Sequence, residues 1–279
     1  MSILSFILLF LLVLMVSVLV GLNLWTRRLG RDVEALVPMP GQLQPVGGGK
    51  LHFVEEGPNS AQPVVMIHGL SGQLQHMTYA LSGLLSDEYR VIAVDRPGCG
   101  YSERDSDDLA ALPEQARMIW ELLDHLGVSN PVLVGHSLGG AISLAMALQR
   151  PDSTGALALL CPLTQEQNES PEVFAGLGIE NGFLRRLIGH TMAVPMSKLK
   201  AEEILEEIFK PDICPDDFLI RAGGALGMRP KAFVTASGDM VAVQRGIGPQ
   251  VQQYATGLRT PGGILYGADD SLLPPAIHG

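Results

Sequence analysis

Cations are scarce in this chain of 279 residues: Lys and Arg number 19 against 29 Asp and Glu, a formal net charge of -10. A surface short of clustered basic groups cannot hold a phosphate backbone, which argues against a nucleic-acid partner. Cysteine is scarcer still. Cys99, Cys161 and Cys214 are odd in number, far apart, and free of CxxC or zinc spacing, so neither a disulfide framework nor a metal site is indicated. The local group of acids at 103–108 lacks the regular oxygen spacing of a calcium loop and reads as a solvated loop. No internal repeat is visible. No cofactor is called for.

Charge is missing altogether from residues 2–26, where Leu, Ile, Val and Phe dominate. About 20 apolar residues suffice to cross a bilayer. A cleaved signal peptide is the rival reading. It fits less well, because no Lys or Arg precedes the run, the run exceeds a usual signal core, and no A-x-A site follows. Residues 1–26 are therefore expected to form a single-pass anchor in the cell membrane. Arg27, Arg28 and Arg31 follow it and bias the rest toward the cytoplasmic side. Residues 27–50, with Pro38, Pro40 and Gly47 to Gly49, read as a linker.

What remains, 51–279, alternates short apolar runs with helical spacing. An edge strand is expected over 51–55. Further strands are expected over 64–67, 90–94, 132–134, 156–160 and 263–266, and helices over 109–126 and 139–149. Such alternation implies an α/β fold with a mostly parallel, doubly wound sheet covered on both faces. The alternation fails between about 163 and 260. That stretch, with helical spacing at 183–188 and 200–209, reads as an inserted helical lid. Its methionines, Met192, Met196, Met228 and Met240, are candidates to line a lipophilic pocket, against the plainer alternative of lid–core packing.

The stretch with most chemistry is "LVGHSLGG", 133–140. A strand runs into Gly135-His136-Ser137-Leu138-Gly139 and a helix rich in small residues follows. A serine on so sharp a turn is lifted clear of the sheet edge, bare flanking positions let the backbones pass, and the helix amino end faces a developing anion. With this context the chain resembles the α/β-hydrolase family over about 51–275. His68-Gly69-Leu70-Ser71 is similar to its HG-x segment. Asp95-Arg96-Pro97-Gly98-Cys99-Gly100-Tyr101-Ser102 is similar to its D-x-P-G-x-G-x-S turn, and 267–274 to its G-x-x-D-x-x-x-P acid segment. The resemblance implies Ser137 as nucleophile, the N–H groups of Leu70 and Leu138 as oxyanion hole, and Asp270, rather than Asp269, as the acid that orients a histidine.

That histidine is the gap. The family order is serine, acid, histidine, and only His278 follows Asp270, too early, because ordinary element and loop lengths put the histidine about 20–30 residues after the acid. The chain is expected to lack its final strand and helix, and so to be poorly soluble and nearly inactive as it stands. The expected activity is cleavage of a carboxylic ester or related acyl bond through an acyl-enzyme on Ser137, on a small and apolar acyl substrate. A cofactor-free perhydrolase or haloperoxidase-like enzyme would use the same residues. An inactive fragment or a non-catalytic accessory protein would keep the scaffold without the base.

Overall fold

The computed structural model describes residues 2–167, 171–270 and 272–279. The strands are β1 (Gln42–Val46), β2 (Gly49–Glu56), β3 (Pro63–Ile67), β4 (Arg90–Val94), β5 (Glu103–Arg104), β6 (Val132–His136), β7 (Ala156–Leu160) and β8 (Gly262–Leu265). The helices are α1 (Ile3–Leu36), α2 (Leu74–Met77), α3 (Gly83–Leu85), α4 (Leu112–His125), α5 (Leu138–Gln149), α6 (Gly182–Ile188), α7 (Val194–Leu199), α8 (Ala201–Phe209), α9 (Phe218–Arg221), α10 (Pro230–Gly257) and α11 (Pro275–His278).

The strands form one sheet in the order β1-β2-β4-β3-β6-β7-β8, with β5 paired to β2. β2 is antiparallel to β1 and β4; from β4 to β8 every pairing is parallel. Parallel strands buried on both faces need unbroken apolar runs, and Val64 to Ile67 and Val91 to Val94 supply them. One face packs Trp120, Leu122 and Leu123 of α4 and Ile142 and Met146 of α5. The other packs Leu74 and Met77 of α2 against Val64, Met66 and Val91. Every residue of β8 is exposed, and no strand among the described residues pairs its outer side.

The chain passes from β3 to β4 on one side and returns to β6 on the other. β3 and β6 are therefore neighbours whose connections leave in opposite directions, which opens a crevice at their carboxyl ends. The two segments that follow these strands are His68-Gly69-Leu70 and Ser137-Leu138.

Four expectations need correction. The edge strand is β1, not the strand at 51–55, because Gly47 and Gly48 turn the chain into a hairpin with Val46 opposite Gly49; Gly48 takes a φ of 99°. Residues 27–50 are accordingly not a loose linker: α1 continues to Leu36, and its last turns pack on the domain through Thr26, Gly30 and Val33. The stretch 163–260 is only partly a lid. The second half of α10 belongs to the main core through Val243, Ile247, Val251 and Tyr254, and Gln250 Nε2 donates to Ala141 O. The four methionines line no common pocket. Met192 and Met196 face outward, Met240 is buried, and Met228 packs beside Ala225 and Leu226.

Candidate active site

Ser137 sits between β6 and α5 with φ 53° and ψ -120°, backbone space that L residues other than glycine rarely enter. Three hydrogen bonds fix it there. Its N–H donates to Leu160 O at 3.1 Å, and its carbonyl accepts from Gly140 N at 2.9 Å and Leu163 N at 3.0 Å. The glycines around it are required by contact. A Cβ on Gly139 would stand 2.1 Å from Ile67 O, and one on Gly135 would stand 2.5 Å from Ser143 Oγ. The β3 end and the elbow thus touch backbone to backbone, and Gly69 brings its chain so close that a Cβ there would meet Ser137 Cβ at 3.0 Å.

The two residues expected to supply the oxyanion hole fall on either side of this contact. Leu138 is the first residue of α5, so its amide has no carbonyl partner within the helix. Leu70 follows Gly69, half-buried, in the loop pressed against the serine. A buried framework holds that loop. Arg96 donates through Nε to His68 O (3.1 Å) and through Nη2 to Gly69 O (3.0 Å), while its own N–H donates to His68 Nε2 (3.0 Å). Asp95 Oδ1 accepts from Leu74 N at 2.7 Å; Oδ2 accepts from Tyr101 N at 2.8 Å and bonds His52 Nδ1 at 2.6 Å. Burial first, then the Arg96 charge, keep His68 neutral well below the usual imidazole range. These positioning residues were missed at the level of sequence. Their signal lay in the Asp95-Arg96-Pro97-Gly98 turn, which marks the fold but names no role.

Asp270 follows β8 on the same sheet edge. Its Oδ1 accepts from Leu272 N (3.0 Å) and Leu273 N (2.9 Å), and the Cys161 thiol bonds it from the end of β7. Burial chiefly raises that thiol and keeps it protonated. β7 lies between β6 and β8, with His136 opposite Leu160 and Leu160 opposite Leu265. Two strand spacings set the ends of β6 and β8 roughly 10 Å apart. An imidazole with a hydrogen bond at each ring nitrogen suits such a gap.

Among the described residues no histidine hydrogen-bonds the Ser137 hydroxyl. His136 lies on the Gly69 side, with Nδ1 3.1 Å from where a Gly69 Cβ would stand. His278 is buried: its Nδ1 faces the N–H groups of Thr164 and Gln165 at 3.3 Å each, and its Nε2 has no partner. Both imidazoles are lowered by burial and raised in part by Asp270. A cavity of about 440 Å³ is lined by Gln165, Glu166, Gly248, Val251, Gln252 and Ile277 and does not include Ser137. On the other side the lid closes on the loop after β3, where Gln73 Nε2 donates to Ala222 O and Ser71 and Gly72 share a narrow crevice with Leu226, Arg229 and Ala232. No group of three or more His, Cys, Asp or Glu able to hold a metal occurs among the described residues.

Comparison with known proteins agrees with the fold. Residues 62–187 match the model of the alpha/beta hydrolase fold family. The chain is 37% identical over 127 residues to the dihydrolipoyllysine-residue acetyltransferase component of an acetoin cleaving system from Pseudomonas putida, covering 46% of this chain and 34% of that protein. It is 32% identical over 134 residues to the uncharacterized hydrolase YugF of Bacillus subtilis, covering 48% of this chain and 49% of that one. The matched stretch thus spans half or less of these relatives. An enol-lactonase from Burkholderia xenovorans superposes with a TM-score of 0.68 at 20% identity, over 85% of each chain.

Proposed function

From a chain with the α/β-hydrolase fold, we propose a membrane-anchored serine hydrolase that cleaves a carboxylic ester or related acyl bond. The observation that carries this reading is the backbone of Ser137, held in the left-handed region by three hydrogen bonds at the β3–β6 crevice. Strain of about 1–3 kcal/mol at one residue persists where the surroundings over-determine it, commonly at working sites. Ser137 Oγ attacks the acyl carbon and gives its proton to a base. The Leu70 and Leu138 N–H groups hold the tetrahedral oxyanion. The leaving alcohol takes that proton, and water then splits the acyl-serine ester in the reverse sense. Asp270 orients the base. The histidines that feel its charge, His136 and His278, are the ones to test for that part.

α1 is the anchor in this reading. Its most apolar 18-residue window has a mean hydropathy of 3.2 with none of it buried, while its later turns are docked on the lid.

A fluorophosphonate probe tests the nucleophile. It should label the detergent-solubilised full chain, and Ser137→Ala should abolish the label. Labelling that survives Ser137→Ala would remove Ser137 from the mechanism. Asp270→Asn, His278→Gln and His136→Gln, read by labelling rate, then test whether either imidazole serves; a rate unchanged in both histidine variants would exclude both as the base.

A further inference from the structure

The half of α1 beyond the apolar run does not dock at random. Asn23 Nδ2 donates to His190 O at 3.1 Å, and Thr26 Oγ1, fully buried, donates to Thr191 O at 3.1 Å. Further along, Gly30 faces Pro230 and Arg229, Glu34 pairs with Arg229 at 3.1 Å, and the Tyr101 hydroxyl donates to Val37 O. α1 therefore measures the domain along its own axis. At 1.5 Å per residue, the lid segment at 190–191 lies about 12 Å nearer the apolar run than the Glu34–Arg229 contact. It stands level with Leu24 and Trp25, both exposed, where that run ends.

The same lid segment carries an exposed apolar ridge. α6, a single π-helical turn at 189–193 and α7 form one continuous helical stretch, 182–199. Phe183, Leu187, Met192, Met196 and Leu199 follow one another at steps of four, five, four and three residues. The five-residue step crosses the π-helical turn, whose wider winding keeps Leu187 and Met192 on one side. All five are exposed, Phe183 at 78%, Met192 at 53% and Leu199 at 81%. The opposite side of the stretch is buried: Arg185, Gly189, Ala193 and Val194 face inward, and Gly189 lets Val234 of α10 come within 2.7 Å of where a Cβ would stand. Positive charge gathers at the junction. Partial burial, then Arg27 and Arg186, push the His190 imidazole down, and Lys198 and Lys200 close the ridge, with Arg186 shared with Asp107 and Lys200 with Glu203.

We propose that this ridge is a second membrane contact: Phe183, Leu187, Met192, Met196 and Leu199 seat the lid in the lipid surface of the bilayer that α1 crosses. The occupant follows from continuity with the span, since the middle of the ridge, at 190–191, stands level with the end of the apolar run of α1. Arg27, Arg28 and Arg31 just past that run fit an anionic headgroup layer. The inference rests on the membrane reading of α1. It deepens that reading by placing the lid itself against the lipid surface.

Tryptophan quenching by lipids with brominated acyl chains tests both levels separately. The full chain is placed in nanodiscs of phosphatidylcholine and phosphatidylglycerol. Trp25 in the unchanged protein reports the span, while Trp120 is buried and sheltered. In a Trp25→Phe background, Met192→Trp and Leu199→Trp, both at exposed positions, report the lid, and Asp152→Trp reports a distant surface. The lid reporters should lose most of their added emission and the Asp152 reporter none. Quenching of Trp25 with unquenched lid reporters would overturn the ridge proposal and leave the span standing. Absence of quenching at Trp25 as well would remove both.

Discussion

Ser137 keeps its conformation because its neighbours are small. The carbonyls of Ile67 and His68 would lie 2.1 and 2.6 Å from a Cβ on Gly139. Backbone atoms cannot step aside as a flexible side chain can. Gly139→Ala should therefore cost about 1–3 kcal/mol and abolish fluorophosphonate labelling, whereas Ser137→Ala should abolish labelling with the melting temperature unchanged or raised. Equal loss of stability in both would show that the backbone contact at Gly139 carries no special cost. Imidazoles nearby make a pH argument. His76 accepts from Gln73 Nε2 at 2.9 Å and rests against Phe218, and burial, then His136, hold its pKa down at about 4, with Asp95 opposing. The unfolded chain binds that proton at the ordinary histidine value of 6.5. The unfolded state thus holds more protons between pH 6.5 and 4, so stability is full above that window and falls through it, by at most about 3 kcal/mol for this group. His68 acts in the same direction. Thermal melts across the window should show the decline, and His76→Gln should make it shallower.

At the scale of elements, the parts most plainly written in the sequence were those with a single strong cause. β4 and β7 came out at 90–94 and 156–160 as expected because both are uniform apolar runs, β4 buried beyond its first residue and β7 at Leu157 and Leu159. α10 escaped because it contains Gly238, Gly246, Gly248 and an internal Pro249, residues that local propensity assigns to loops. Tertiary packing overrides that propensity through Val243, Ile247 and Gln250. The docked half of α1 escaped for a different reason. Its buried residues Thr26, Gly30 and Val33 sit among Arg27, Arg28, Arg31 and Asp32, so no apolar stripe marks it, and the Pro and Gly beyond it read as a linker. Two deletions separate its halves. Loss of 2–22 should release a soluble domain whose melting temperature is nearly that of the solubilised full chain. Loss of 2–36 removes Val33 from its cluster with Val37, Ala225 and Leu226, together with the Thr26 and Glu34 contacts. It should cost about 3 kcal/mol more, from the ordinary worth of one or two buried side chains. Similar melts for the two products would show that the docking contributes nothing.

For the whole molecule, the mostly parallel sheet and the strand-to-helix turn at Ser137 were legible because apolar runs and a few motifs with a local steric cause mark them; the order of the strands was not. The way the lid is tied to the sheet was not, since it depends on pairs more than a hundred residues apart. Asp239 of α10 is the main tie. It is buried, and its two oxygens take Arg96 Nη1 and Arg104 Nη1, each at 2.6 Å, while Arg96 Nη1 also donates to Gln115 Oε1 at 2.9 Å. Arg96 in turn holds the carbonyls of His68 and Gly69, so the lid helix and the loop beside Ser137 hang on one guanidinium. Such a group is poor evidence of added stability, because desolvating three charges costs much of what their attraction returns. Breaking it is another matter. Asp239→Asn leaves two buried cations without their counter-charge and should cost about 3–5 kcal/mol. The failure should begin at the lid. Limited proteolysis should then cut within 163–229 under conditions where the unchanged protein resists, and labelling of Ser137 should fall as the loop after β3 loosens. Exposed pairs give the contrast: Glu207→Gln, which removes the surface pair with Lys210, should change neither proteolysis nor labelling, as surface pairs contribute about 0–1 kcal/mol. A lid that stays resistant in Asp239→Asn, with labelling intact, would mean that the apolar contacts of α10 hold it unaided.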